Sequence, residues 1–139
     1  LSNLVTAYVK QFTGKLSSAC GCSVAAGVGV TAAVAWLMGG TSSQVKGAMQ
    51  NMIGNLAGMI CDGAKGGCAL KLATSAAEAI FSAQLALQNI IISSKDGIIG
   101  STIEATIKNL GAISAPGNDS MGDAILAIML EKSRKECNY

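Results

Sequence analysis

No charged residue occurs between Lys15 and Lys46, and inside that stretch Cys22 to Met38 consists almost wholly of Gly, Ala, Val and a few larger apolar side chains. A run of this length and polarity has two outlets, a membrane span or a helix buried on every side within a protein core. Gly21, Ser23, Gly27, Gly29, Thr31, Gly39 and Gly40 dilute it below the Leu/Ile/Phe richness of a span. The reading is therefore a buried core helix and no membrane. Aromatic residues make up only 4% of the chain, so the interior is expected to be Gly/Ala-rich and filled by close approach of helix backbones. At 139 residues the chain is the size of one domain that buries a core without staples.

Helical spacing continues on both sides of this run. Leu4, Tyr8, Phe12 and Leu16, with Val5 and Val9 beside them, predict a first helix ending near Ser17 or Ser18. The second runs from about Ser23 to Met38, where Gly39 and Gly40 stop it. Thr41 with Gln44 has the capping-box pattern that starts a third. Val45, Met49, Met52, Ile53, Leu56 and Ile60 line one side of that helix and Gln44, Ala48, Asn51 and Asn55 another, with an end near Cys61. The segment from Cys61 to Cys68 is a glycine-rich loop, because Gly63, Gly66 and Gly67 favour positive-φ backbone over continued helix. A fourth helix covers about Ala69 to Asn89. Ile90, Ile91 and Ile92 are a β-branched run too short and too isolated to build a sheet. Lys95 to Gly97 is a turn, Ser101 with Glu104 caps a fifth helix through Ile103, Ile107 and Leu110, and Pro116-Gly117-Asn118 breaks the chain. Met121, Ile125, Ile128 and Met129 mark the last helix. The expected fold is all-α, a single bundle of about six helices over residues 1–139.

Composition removes several function classes. The chain has no His, which excludes Ser-His-Asp and Cys-His machinery and imidazole metal sites from this segment. Its net charge is +2, and the one basic cluster, Lys132, Arg134 and Lys135, reads as a solvated tail, so nucleic acid is not an expected partner. Cysteines stand at 20, 22, 61, 68 and 137. An odd count without a secretory signal argues against a disulfide framework and for a reducing, cytoplasmic setting. The chain opens at Leu1 within a helical pattern and without an initiator Met, and so reads as a piece of something longer.

Three of the cysteines fall at helix ends: Cys22 begins the second helix, Cys61 ends the third and Cys68 begins the fourth. A thiolate at a helix N-terminus is stabilised by the positive end of the macrodipole and by unpaired N–H groups. Soft thiolates select zinc or iron–sulfur clusters, whereas the plainer alternative is ordinary buried cysteine, and spacing alone leaves both open. Cys20, two residues before Cys22, is an alternative ligand, and Cys137 reads as a loose thiol in a charged tail. Asn51 and Asn55 need partners in so apolar a chain, either across helices or at a site. Asp62 and Lys65 either pair across their own loop, or orient a substrate carboxylate or tune a metal group.

The stretches Gly21-Cys22-Ser23-Val24-Ala25-Ala26-Gly27, Asn51 to Lys65 with its Cys61-Asp62-Gly63-Ala64-Lys65 core, and Cys68-Ala69-Leu70-Lys71 resemble the C-terminal half of the L-serine dehydratase alpha-chain superfamily. The likeness is greater to the branch containing L-cysteine desulfidase, and it covers about residues 15 to 131. It implies an oxygen-sensitive 4Fe-4S cluster held by Cys22, Cys61 and Cys68, with substrate contacts from Asn55, Asp62 and Lys65. The chemistry it implies is β-elimination from L-cysteine or L-serine to pyruvate and ammonia, an open iron serving as Lewis acid. The serine dehydratases carry Gln after the first cysteine and a longer gap between the last two, whereas this chain has Ser23 and a short gap. The catalytic base and part of the substrate pocket are expected in the N-terminal part of the same protein, so this portion alone should be inert. In some serine dehydratases a tail cysteine folds back onto the open iron, the role that Cys137 would take. The rival from a different class is a non-enzymatic helical module stabilised by zinc on Cys20, Cys22, Cys61 and Cys68; homo-oligomer formation is left open. Both metal readings require Cys22, Cys61 and Cys68 to meet at one point.

Overall fold

In the computed structural model, which describes residues 1–14, 17–114 and 119–136, six α-helices follow one another: α1 (Ser2–Thr13), α2 (Ala26–Leu37), α3 (Ser42–Leu56), α4 (Cys68–Leu87), α5 (Ile103–Ser114) and α6 (Asp119–Glu136). A π-helical turn, Gly21–Ala25, runs directly into α2. Among the described residues there is no strand; the one β-type pairing joins Ala19 to Ile60. The chain is all-α, as its periodicity predicts.

The charge-free run becomes the hub. Helix α2 packs against α1, α3 and α4, and α5 closes over α1 and α3. Close approach depends on glycine. A Cβ at Gly29 would sit 2.5 Å from the Ser2 carbonyl oxygen, which α1 cannot move aside, and one at Gly27 would collide with the Met52 methyl and the Ser75 hydroxyl. Where α2, α3 and α4 cross, Ala35, Ala48, Ala83 and Ala86 are fully buried. The Gly/Ala interior stops there. Towards α1, α3 and α5 the core is built from Val9, Val24, Val28, Met52, Ile53, Ile103, Ile107 and Leu110, larger side chains that fill the wider gaps between those helices.

Boundaries moved where tertiary hydrogen bonds or left-handed backbone intervened. Helix α1 stops at Thr13, before Ser17, because Gly14 takes φ 75; Leu16 lies outside the described residues, as do Pro116, Gly117 and Asn118. Its inward stripe is Val9, buried, flanked by the partly buried Val5 and Phe12, whereas Leu4 is 75% exposed. The capping box forms as expected, Gln44 N–H donating to Thr41 Oγ1 (3.3 Å) and Thr41 N–H to Gln44 Oε1 (3.0 Å). Gln44 also donates to the Leu87 carbonyl at 3.0 Å, tying the start of α3 to the end of α4. Helix α3 ends at Leu56 rather than near Cys61, since the backbone of 59–61 pairs with 18–20 instead of continuing the helix. Ile91 and Ile92 are packing plugs that fill the space left by Gly47 and Gly54 of α3. At α5 the cap is Thr102, whose hydroxyl accepts from Ala105 N–H at 3.1 Å, one residue later than the Ser101 expected. Helix α6 packs against none of the other described helices, but Met129 reaches the backbone of Gly63.

Candidate functional site

Three segments converge at the N-terminal end of α4. The Cys20 amide donates to the Met59 carbonyl and the Cys61 amide to the Ser18 carbonyl, both at 2.8 Å, which locks 18–20 to 59–61 as a miniature antiparallel ladder. Neither segment is a strand by composition. They pair because α3 has ended and the π turn has not begun, so each offers the other its unpaired backbone groups.

The π turn leaves its carbonyls more widely spaced than an α-helix would. One of them, that of Ser23, accepts from Ser75 Oγ of α4 at 2.6 Å, while the buried Ser23 hydroxyl itself has no partner. Wide turns of this kind are frequent at functional sites. Here the turn carries Cys20 inward, 4% exposed and part of the core, and leaves Cys22 exposed.

Lys71, one turn into α4, organises the loop between Cys61 and Cys68. Its ammonium donates to the Ile60 carbonyl at 2.9 Å and to Asp62 Oδ1, while Lys65 holds Asp62 Oδ2 from the other side. These bonds keep the Asp62 carboxyl well below the usual carboxylate range and raise Lys71, chiefly through its bond to Asp62. The carboxylate therefore keeps its charge to the bottom of the ordinary acid range, and the clamp weakens only as pH falls from the Asp62 value in the unfolded chain towards its lower folded one. Cys68 closes the same loop by donating its thiol to the Gly63 carbonyl at 3.6 Å. Gly63, at φ 91, is the residue that permits the bend. A second ammonium stands close by, since a Cβ on Gly21, between Cys20 and Cys22, would lie 3.3 Å from Lys10 Nζ.

Of the residues anticipated from sequence, Cys22, Cys61, Cys68, Asp62 and Lys65 belong to these converging segments, and Asp62 and Lys65 pair across their loop. Asn55 lies in a different place, a cleft of about 320 Å³ between α3 and α4 whose lining includes Glu78, Phe81 and Ile92 but neither Asp62 nor Lys65. Asn51 is a strut from α3 to the segment after α4: its side-chain amide donates to the Ile90 carbonyl at 2.9 Å and accepts from Ile92 N–H at 2.8 Å. Cys137 lies outside the described residues. Lys71 gains its role from geometry alone, although its position three residues after Cys68 places both on one face of α4.

The donor chemistry suits a thiophilic metal group, for Cys20, Cys22, Cys61 and Cys68 are all free thiols. Their arrangement does not yet gather them. Among the described residues no three Cys, Asp or Glu side chains are placed to hold one metal ion. Nor is any described helix long and apolar enough to cross a membrane.

Comparison with known proteins gives these segments a family. The family described as serine dehydratase alpha chain matches residues 1–127. This chain belongs to the serine dehydratase alpha chain family. Relatives include proteins called UPF0597 from Clostridium botulinum (54% identical over 124 residues), Desulfatibacillum aliphaticivorans (54% over 132) and Alkaliphilus oremlandii (55% over 129). The matches cover 89%, 95% and 93% of this chain but only 29%, 30% and 30% of those proteins. The chain thus spans about three tenths of the length of the curated relatives it matches. No solved structure matches it. Within this member of the family, the loop clamp gives a direct expectation: Lys71→Met should speed amide hydrogen exchange across 57–68 by about tenfold or more while the exchange of α2 and α3 stays unchanged, and Lys71→Arg should restore part of the protection.

Proposed function

We propose that this chain is the cysteine-bearing portion of an iron–sulfur-dependent lyase that performs β-elimination on a small amino acid. With L-cysteine, loss of the α-proton and of hydrosulfide from Cβ gives aminoacrylate, which tautomerises and takes up water to yield pyruvate and ammonia. With L-serine the leaving group is hydroxide and the organic products are the same. The observation that carries this reading is the convergence of three cysteine-bearing segments, two of them locked together by the Cys20–Met59 and Cys61–Ser18 backbone bonds, in a chain of the serine dehydratase alpha chain family.

The proposed cofactor is a 4Fe-4S cluster on Cys22, Cys61 and Cys68. Because these sulfurs are not gathered as they stand, loading requires the 62–68 part of the loop to close on the π turn, 59–61 being already held by 18–20. Lys65 is the chain's own candidate for the substrate carboxylate. It holds Asp62 from the exposed side, so it can exchange that partner for another carboxylate while Lys71 keeps the loop in place. Asn55, in its separate cleft, is not assigned to the substrate. The proton-transferring group and the remainder of the pocket are assigned to the part of the protein outside this chain.

The test is chemical. The intact protein, purified without oxygen or reconstituted with iron and sulfide, should contain iron and acid-labile sulfide and release pyruvate from L-cysteine or L-serine. A colourless protein that holds stoichiometric zinc on its cysteines and gives no pyruvate would replace this reading by the zinc-stabilised module.

A further inference from the structure

A cleft of about 610 Å³ opens away from the cysteine segments, where α1, α3 and α5 meet beside the end of α2. Its walls include Leu4, Tyr8, Trp36, Val45, Met49 and Ile107, with Lys46 and Glu104 as the charged members. Trp36, the sole tryptophan, is 60% exposed, and the neighbouring Leu37 is 74% exposed. Single exposed apolar residues are ordinary on any surface, but a concave group of them marks a place where something binds. The stripe on α1 makes the same point, since Leu4 and Tyr8 are at helical spacing for burial, yet none of the described helices covers them.

The chemistry of the walls selects the occupant. A small zwitterionic amino acid would leave most of these walls uncovered, since Lys46 and Glu104 are the only charged side chains among them, so the cleft suits a larger apolar occupant. The relatives supply the alternative, because matches covering 89–95% of this chain span only 29–30% of theirs. More than half of such a polypeptide must pack somewhere, and an apolar cleft beside uncovered Leu4, Trp36 and Leu37 is suited to an apolar helix face with anchors three and four residues apart. We propose that this cleft is the seat of a segment of the same polypeptide lying outside this chain, which buries Leu4 and Trp36 in the intact protein. The proposal rests on the reading that the intact protein has the length of its relatives.

Thiol labelling tests it without reference to iron or turnover. Leu4→Cys and Trp36→Cys are made in the 139-residue chain and in the intact protein, with Lys95→Cys on an exposed loop as control, and maleimide modification is followed position by position by peptide mass spectrometry. Circular dichroism shows that each variant remains helical. The expected result is labelling at positions 4 and 36 slower by about tenfold or more in the intact protein, with position 95 unchanged. Equal rates in both proteins overturn the proposal. Protection that arises already in the 139-residue chain and grows with its concentration also overturns it, since the occupant is then a second copy. An intact protein without iron whose cleft is nevertheless protected sinks the lyase reading and leaves this one standing.

Discussion

Replacing Cys22 by serine in the intact protein is expected to abolish iron binding and pyruvate release while leaving the fold untouched, and replacing Cys20 is expected to do the reverse. The two sulfurs are two residues apart, but the π turn sends them to different environments. Cys20 is 4% exposed and packs with the core of Val24, Val28 and Met52, so a serine there buries a hydroxyl in an apolar setting at a cost of about 1–3 kcal/mol. Cys22 is exposed, and a surface substitution of this size moves stability by about 0.5 kcal/mol or less. Iron content after anaerobic reconstitution and urea unfolding, measured on both variants, separate the roles. Iron retained in Cys22→Ser and lost in Cys20→Ser at unchanged stability would reassign the ligand to Cys20 and remove the site as drawn.

The other large effect concerns the hub. Met52→Ala is expected to cost about 2–5 kcal/mol, because Met52 is wholly buried and its removal opens a cavity between α2 and α3. Gly27→Ala gains about 0.5–1 kcal/mol of helix propensity. Against that, its methyl would collide with the Met52 methyl and with the Ser75 hydroxyl that is already bound to the Ser23 carbonyl, an overpacking cost of about 1–3 kcal/mol. The clash wins, and Gly27→Ala alone should destabilise. In the Met52→Ala background half of the obstruction is gone, so the same substitution should cost less or become favourable. A double-mutant cycle by chemical denaturation reads the coupling directly; additive effects would mean that the two helices are not in contact at this crossing.

Much of the fold is visible in residue order because its signals are local. The capping box at Thr41 and Gln44 needs only four residues, and the helical spacing of Ile103, Ile107 and Leu110 needs only one helix. What failed was whatever required a partner. Helix α3 stops at Leu56 because 59–61 finds 18–20, and a sequence window around Cys61 contains no trace of residues forty positions away. The cap at Thr102 in place of Ser101 is a one-residue shift between two hydroxyl-bearing neighbours with nearly equal propensity. At the site, the cysteines and the Asp62–Lys65 pair could be named from their spacing. Lys71 could not be given a role, since its clamp exists only once α4 has brought it back over the Ile60 carbonyl.

The sequence by itself determined that most of the charge-free stretch would be an interior helix, that the fold would be all-α, and that no imidazole of this segment could take part in its chemistry. Those are properties of composition and of short-range periodicity. Only the tertiary structure decided which cysteine turns inward, where the loop clamp sits, that Asn55 lies apart from Asp62, and that Leu4 and Trp36 border an open cleft. Each of these depends on the side on which one helix meets another, and that is fixed by packing between residues far apart in the chain.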